Sequence, residues 1–182
     1  TNSLTLTDIR ATCNGNGNGR VQDVADSEVF RGYQQLANAG LLEGRYTGVA
    51  GSGGTVHHIP GTNSPIGTFP GSGYRIANPG LVGGTTTVFY LPYDNAIQYG
   101  MATTTANPIG AVFSGKEQYQ IDSKIDDGLP HRGNILALND LTNCTNASSF
   151  ASPAWYMTPE QFAITYQQGS AIVCTIIMRN AW

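Results

Sequence analysis

Three aspartates lie within six positions in the C-terminal half of the sequence: Asp122, Asp126 and Asp127. Carboxylate oxygens are the ligands that Ca²⁺ prefers, and this spacing allows two of them to bind one ion. The same spacing fits a purely structural turn, in which one acid caps the turn and another pairs with Lys124 or Arg132. Paired acids also serve glycoside hydrolysis, but that chemistry needs a second element that the sequence does not identify. The residues alone leave a calcium site and a structural turn open.

A second candidate cation site is a loop in which asparagine alternates with glycine, at Asn14, Asn16 and Asn18. Oxygen ligands at alternate positions, followed by glycine and then an apolar residue, follow the order of an EF-hand loop. Ala25 stands where that loop has its bidentate carboxylate, and neutral amides bind a hard dication more weakly than carboxylates do. Asn and Gly are also the residues that tolerate left-handed backbone in a tight surface loop. This loop is therefore the weaker of the two candidate calcium sites.

Length and composition predict one globular domain, spanning residues 1–182. The chain has 23 glycines, 9 prolines and only 12% charged residues, which is typical of a β-rich protein with long polar loops. The net charge is −3 and the 9 basic residues form no cluster, so nucleic acid and an anionic membrane surface are not expected partners.

Cysteine usage and the termini suggest an exported protein. Three cysteines in a polar chain indicate an oxidising compartment with one disulfide, and we predict that Cys144 pairs with Cys174. Cys13 is then free or has lost its partner. The sequence has no apolar run long enough to span a membrane and no leader, and it begins without Met, so we interpret it as a mature or trimmed product.

The elements that position these residues follow from periodicity. Apolar residues at helical spacing predict a helix over residues 27–39, with Asp26 or Ser27 as N-cap and Gly40 ending it. A shorter helix is predicted over Lys116–Ser123 with Tyr119 facing inward, and another begins at Thr158. Strands are predicted at Gly73–Ile76, Thr85–Leu91, Ile109–Phe113, Ile135–Leu138 and Ala171–Met178, the last being the most apolar and central to the sheet. The adjacent His57 and His58 are expected in a solvated loop.

No motif for catalysis occurs in the sequence. It contains no nucleophile elbow, phosphate-binding loop, CxxC pair or HExxH sequence. We therefore do not predict an enzyme, and a hydrolase using the acids from Asp122 to Asp127 is only the third hypothesis.

Two blocks of sequence resemble a known family. CNGNGNGRV with the helix ending in QQLANAGLLEGRYTG, and QIDSKIDDGLPHRGNI further on, resemble the soluble body of bacterial type IV pilin-like proteins, which carry a prepilin-type cleavage and methylation leader. The final segment, Tyr166 to Ile177 with Cys174, is similar to the closing strand of such proteins. These stretches cover about a third of the chain.

The resemblance implies an α+β fold, with an antiparallel β-sheet head, short helices and long loops. Pilins polymerise through a long N-terminal helix packed against this head, forming an extracellular filament or a secretion pseudopilus. The resemblance therefore implies a structural subunit for polymerisation, adhesion or transport, in an extracellular or periplasmic location at the cell surface. That helix is absent here, and Thr1 would lie just after it. The implied partners are copies of this chain and other pilin or pseudopilin subunits, and the implied membrane contact is through the missing helix alone.

The resemblance also bears on the sites. Acidic loops in the C-terminal half of pilin-like heads bind structural calcium, which favours Asp126 and Asp127 over the asparagine loop. The Cys144–Cys174 pair is similar to the disulfide-bounded loop of many pilins.

The alternative function is a secreted carbohydrate- or surface-binding module that uses the tyrosine-rich loops around Tyr90, Tyr93 and Tyr99.

Overall fold

The computed structural model describes residues 17–21, 28–78, 81–82, 89, 91–138, 140–147 and 164–179. Within these ranges the chain forms three helices and seven strands. In chain order they are α1 (Glu28–Asn38), β1 (Ser72–Ala77), β2 (Leu81–Val82), β3 (Leu91–Pro92), β4 (Ala96–Met101), β5 (Phe113–Ser114), α2 (Gly115–Ile125), β6 (Ile135–Leu138), α3 (Leu141–Cys144) and β7 (Ile172–Arg179). The fold is α+β, as predicted.

Strand β7 organises a five-stranded antiparallel sheet. Its residue Met178 pairs with Ile97 of β4 and with Ile135 of β6, so these two strands lie on opposite edges of β7. Strand β1 pairs with the other edge of β4, and β5 pairs with the first part of β7. Strands β2 and β3 form a separate pair. The β-branched run in β7 suits a strand flanked on both edges, and its predicted central place is confirmed.

In the described part of the chain, the buried side chains form three core groups. The largest surrounds Leu136, Leu141 and Ile177 and includes a disulfide bond between Cys144 and Cys174, which confirms the predicted pair. A second group is centred on Tyr99, Val112, Ile135 and Ile176. The third lies under α1 and consists of Val29, Phe30, Tyr33 and Tyr46.

Helix α1 has nearly the predicted bounds and ends in a Schellman motif. The Gly40 N–H donates to the Ala37 carbonyl at 3.0 Å, the Leu41 N–H donates to the Leu36 carbonyl at 2.9 Å, and Gly40 has a positive φ of 72°. Leu41 is 76% exposed, however, and Leu36 also points to solvent, whereas the polar Gln34 is buried. The predicted N-cap of α1, Asp26 or Ser27, lies outside the described residues.

Several sequence-based assignments need correction. Strand β4 was not predicted, because Gln98 and Gly100 interrupt its apolar pattern, yet both are buried in the sheet. The predicted strand Ile109–Phe113 is reduced to β5. Most of the predicted strand Thr85–Leu91, the helix beginning at Thr158, and Cys13 lie outside the described residues.

The adjacent histidines are buried, not solvated. The His57 Nδ1 accepts a hydrogen bond from the Gly53 N–H at 3.0 Å, and the His58 ring lies 4.7 Å from the Phe30 ring, centroid to centroid. The prediction of solvated loop residues was wrong because the glycine-rich segment folds back over His57 and places both rings against neighbouring segments.

Candidate functional site

Helix α2 carries the first aspartate of the acidic group and starts with a capping box. The Glu117 N–H donates to the Ser114 Oγ at 3.3 Å, and the Ser114 N–H donates to the Glu117 Oε2 at 2.8 Å. The Ser114 N–H and the Ser114 hydroxyl, which also donates to the Glu117 Oε2 at 2.8 Å, lower the pKa of Glu117. The fixed start sets which residues of α2 face inward: Gln118 and Asp122, four positions apart, are fully buried. Tyr119, predicted to face inward, is 42% exposed, because this helix turns a polar stripe to the core.

Asp122 is a fully buried carboxylate with a hydrogen bond to each oxygen. Its Oδ2 accepts from the Tyr166 hydroxyl at 2.8 Å, and its Oδ1 accepts from the Gly128 N–H at 3.1 Å. Loss of hydration disfavours the charged form and raises the pKa of Asp122 to about 6, although both hydrogen bonds oppose this rise. The nearby carboxylates of Asp127 and Asp126 add to the increase.

Asp126 connects the end of α2 to the start of β6. Its Oδ2 accepts hydrogen bonds from the Asn134 N–H and, at 2.9 Å, from the Ile135 N–H. Gly133 has a positive φ of 74°, and a Cβ at this position would collide with the Asp126 carboxylate. Asp126 therefore holds the 126–134 turn closed, and the turn requires glycine at position 133.

Asp127 is the exposed member of the group. Its Oδ1 accepts from the Leu129 N–H at 2.9 Å, and its Oδ2 lies 3.7 Å from the Arg132 Nε. Both side chains of this ion pair are more than a third exposed, so the pair contributes little to stability.

The fold brings the three predicted aspartates together: one carboxylate oxygen from each lies within 4.8 Å of the others. Two ligands of one Ca²⁺ ion at the usual metal–oxygen distances are separated by at most about 5 Å, so the spacing fits a calcium ion. Hard anionic oxygens are also the right donors. Main-chain carbonyls or water would have to supply the rest of the coordination shell. Hydrogen bonds within the fold use both Asp122 oxygens and one Asp126 oxygen, and those from Gly128 and Ile135 fix the turn, so the group also serves the structural role left open above.

Only part of the asparagine loop lies within the described residues. Asn14 and Asn16 fall outside them, and the Asn18 Oδ1 accepts a hydrogen bond from the Arg20 N–H at 2.9 Å. Asn95 holds the next residues: its Nδ2 donates to the Gly19 carbonyl at 2.8 Å, and its Oδ1 accepts from the Val21 N–H at 3.1 Å. The described half is thus a turn tied to the start of β4.

Two buried side chains next to the acids were not singled out from the sequence. Tyr166 lies 44 positions after Asp122, and no local pattern links the two. His131 is fully buried, and neither ring nitrogen has a hydrogen-bond partner among the described residues. Burial, followed by the charge of Arg132, lowers the pKa of His131 to about 4. A histidine within a polar turn carries no sequence signal for burial.

Three of the residues named for the two alternative functions are buried: Asp122, Tyr93 and Tyr99. Asp122 is covered by Tyr166, so a sugar substrate does not reach the carboxylate. Tyr93 and Tyr99 were predicted for a binding surface, but both are buried. The Tyr93 hydroxyl donates to the Phe89 carbonyl at 3.0 Å, and the Tyr99 hydroxyl lies 2.9 Å from the Ser72 Oγ. Tyr90 lies outside the described residues.

Comparison with known proteins leaves the family open. The chain matches no protein-family model, no curated protein and no solved structure. Within the described residues, no helix is both long and apolar enough to cross a membrane. The resemblance to pilin-like proteins therefore rests on the two sequence blocks and the final segment.

Proposed function

We propose that this chain is the head domain of a type IV pilin-like or pseudopilin subunit, which assembles into an extracellular filament through an N-terminal helix. The proposal starts from the two sequence blocks. Within the described residues, the first contains α1 and its Schellman motif, and the second contains the second half of α2, the 126–134 turn and the first residue of β6.

The observation that carries the proposal is a group of partly exposed apolar side chains, the apolar face, that surround the buried Tyr99. Across the sheet, Tyr74 pairs with Tyr99, and Tyr99 pairs with Ile176, so these side chains form one row. The partly buried side chains that pack on this group are Tyr74, Met101, Phe113, Ile121 and Met178. Phe69 contacts the Tyr99 and Phe113 rings and is 43% exposed. An apolar helix laid on this face would remove that surface from water, at roughly 25 cal/mol per Å².

The disulfide supports export. Cys144 and Cys174 are both fully buried and bonded across a separation of 30 residues. Such bonds persist in oxidising compartments and rarely in the cytosol. Copies of this chain and related subunits are the proposed partners, and the cell-surface filament is the proposed location.

The location of the native protein tests the proposal. In the source cells, antibodies to this chain are expected to label surface filaments, and the sheared filament fraction is expected to contain the chain. The encoded precursor is expected to have a prepilin leader followed by about twenty apolar residues, enough for a membrane-spanning helix. Recovery of the chain only as free protein, from a precursor with a plain signal peptide, would contradict the proposal.

A cysteine-accessibility experiment tests the apolar face itself. In a Cys13→Ser background, which removes the unpaired native thiol, we expect a thiol introduced by Phe69→Cys to react rapidly with a maleimide in the isolated head and slowly in the assembled filament. Gly169→Cys is the matched control, because Gly169 is exposed and has nothing within 4 Å of its Cβ position. Equal protection of both thiols would indicate general burial, and equal reactivity would show that nothing covers the face.

Asp122, Asp126 and Asp127 are the proposed ligands of a structural calcium ion. Calcium at a hundred times its dissociation constant should stabilise the fold by about 2.7 kcal/mol, which raises Tm, and chelator should reverse the effect. Asp127→Asn removes the exposed ligand and should abolish most of the Tm shift. Asp94→Asn, an exposed acid remote in sequence, should leave the shift intact. A parent protein whose Tm ignores both calcium and chelator would show that the turn is purely structural.

A further inference from the structure

The asparagine loop contains a second kind of chemistry that does not depend on the proposed function. An asparagine followed directly by glycine occurs at three places in the sequence, at positions 14, 16 and 18. Of these pairs, only Asn18–Gly19 lies within the described residues, and both of its members are exposed to solvent.

The conformation of this pair favours an intramolecular reaction. A Cβ placed on Gly19 would meet no atom within 4 Å apart from its chain neighbours, and glycine has no side chain to obstruct an approach to its main-chain nitrogen. Gly19 also has a positive φ of 73°, which glycine adopts without strain. The Arg20 N–H donates to the Asn18 Oδ1 at 2.9 Å. This hydrogen bond polarises the side-chain carbonyl and makes the Asn18 Cγ more electrophilic.

We propose that Asn18 is a site of spontaneous deamidation, in which the Gly19 main-chain nitrogen attacks the Asn18 Cγ. The Gly19 nitrogen loses its proton to solvent base and forms a bond to Cγ, the Cγ–Nδ2 bond breaks, and Nδ2 leaves as ammonia. The five-membered succinimide that results is hydrolysed by water at either carbonyl, giving aspartate or isoaspartate. No oxidant, reductant or cofactor takes part.

The product changes the loop in two ways. Each conversion adds one negative charge to a chain whose net charge is −3, at one of the alternate positions where an EF-hand loop has its acids. Isoaspartate also lengthens the main chain by one carbon. Asn95 holds the Gly19 carbonyl and the Val21 N–H, so the extra length falls between residue 18 and this anchor.

Peptide mapping of the folded protein tests the proposal. The protein is incubated in a mildly alkaline and in a mildly acidic buffer, then cleaved at arginine, which releases the peptide between Arg10 and Arg20. We expect a growing fraction with the mass increase of NH₂ replaced by OH, assigned to residue 18 by fragmentation. The fraction should grow faster in the alkaline buffer because the nucleophile is the deprotonated amide. Methylation by an isoaspartyl methyltransferase should identify the isoaspartate.

Matched variants separate this reaction from others. Asn18→Gln should lose the conversion at residue 18, because the longer side chain must close a six-membered ring. Asn38 and Asn134 are exposed but precede Ala39 and Ile135, so they should remain amides. Cleavage in heavy-oxygen water marks any conversion that occurs during digestion. Residue 18 remaining an amide while another asparagine converts, or conversion at a rate independent of pH, would overturn the proposal.

Discussion

At the scale of single residues, the main feature is a pair of buried titratable groups beside the acidic turn. Burial raises the pKa of Asp122 from 3.8 to about 6 and lowers the pKa of His131 from 6.5 to about 4. Both groups are neutral where they would ordinarily be charged, because each loses hydration. Asp126, Asp127, Arg132 and the Tyr166 hydroxyl are the other titratable or charged groups around them. As the pH rises, the contributions of Asp122 and His131 to stability change in opposite directions.

Between about pH 4 and about pH 6.5, unfolding lets His131 bind a proton that the folded protein excludes. Its contribution to stability therefore rises with pH across this window and is complete above it. We expect the free energy of unfolding of His131→Leu, minus that of the parent, to be largest near pH 4. This difference should shrink as the pH rises towards 6.5, because the parent gains stability and the variant does not. Denaturant titrations at several pH values, in chelator, measure this difference.

Asp122→Asn provides the control of opposite sign. Between about pH 4 and about pH 6 the folded parent holds the Asp122 proton more tightly than the unfolded chain does. Its stability therefore falls as the pH rises, and the variant escapes that loss. The free energy of unfolding of Asp122→Asn, minus that of the parent, should therefore increase with pH. Parallel pH profiles for all three proteins would show that neither group titrates differently on folding.

At the scale of elements, the acidic turn depends on Gly133. Gly133→Ala places a side chain in left-handed backbone and drives its Cβ into the Asp126 carboxylate, which holds α2 to β6. We expect a loss of more than about 1 kcal/mol in the free energy of unfolding. Gly32→Ala is the control, because Gly32 lies within α1 and has nothing within 4 Å of its Cβ position. That variant should gain about 0.5–1 kcal/mol. Equal effects would show that the turn tolerates a side chain.

Elements with strong local signals could be predicted from the sequence. Helix α1 and strands β1, β6 and β7 have continuous periodic or apolar patterns and ended close to their predicted bounds. Strand β4 could not be predicted in this way, because its polar Gln98 is buried through a hydrogen bond to the Pro108 carbonyl at 3.1 Å. Only the folded chain provides that partner.

For the candidate site, too, the sequence predicts what depends on neighbouring residues and not what depends on distant ones. Asp122, Asp126 and Asp127 are close in sequence, and a helix end followed by a turn keeps them close in space. The burial of Asp122 was not predictable, because it depends on Tyr166, which arrives from a distant segment. The side of α2 that faces the core was wrongly predicted for the same reason. Tyr119 is the more apolar residue, but inside the fold the Gln118 Nε2 donates a hydrogen bond to the Leu136 carbonyl at 3.2 Å.

At the scale of the whole molecule, β7 connects most of the described structure. It pairs with β4, β5 and β6, and its side chains enter two of the three core groups in the described residues. Cys174 of β7 is bonded to Cys144 at the end of α3, which links the central strand to the segment after β6. The unfolding of the sheet should therefore be a single cooperative event.

Removal of the disulfide tests this cooperativity. In a Cys13→Ser background, which prevents alternative pairing, replacing both Cys144 and Cys174 by Ala should lower the free energy of unfolding by about 2–4 kcal/mol, since the unfolded chain is no longer constrained. Because β7 remains the centre of the sheet, the variant should still unfold in one transition, with coincident curves from far-ultraviolet and near-ultraviolet circular dichroism. Separate transitions would show that the region around α1 and β1 folds independently of β7. An unchanged midpoint would show that the covalent link does not add measurably to the stability.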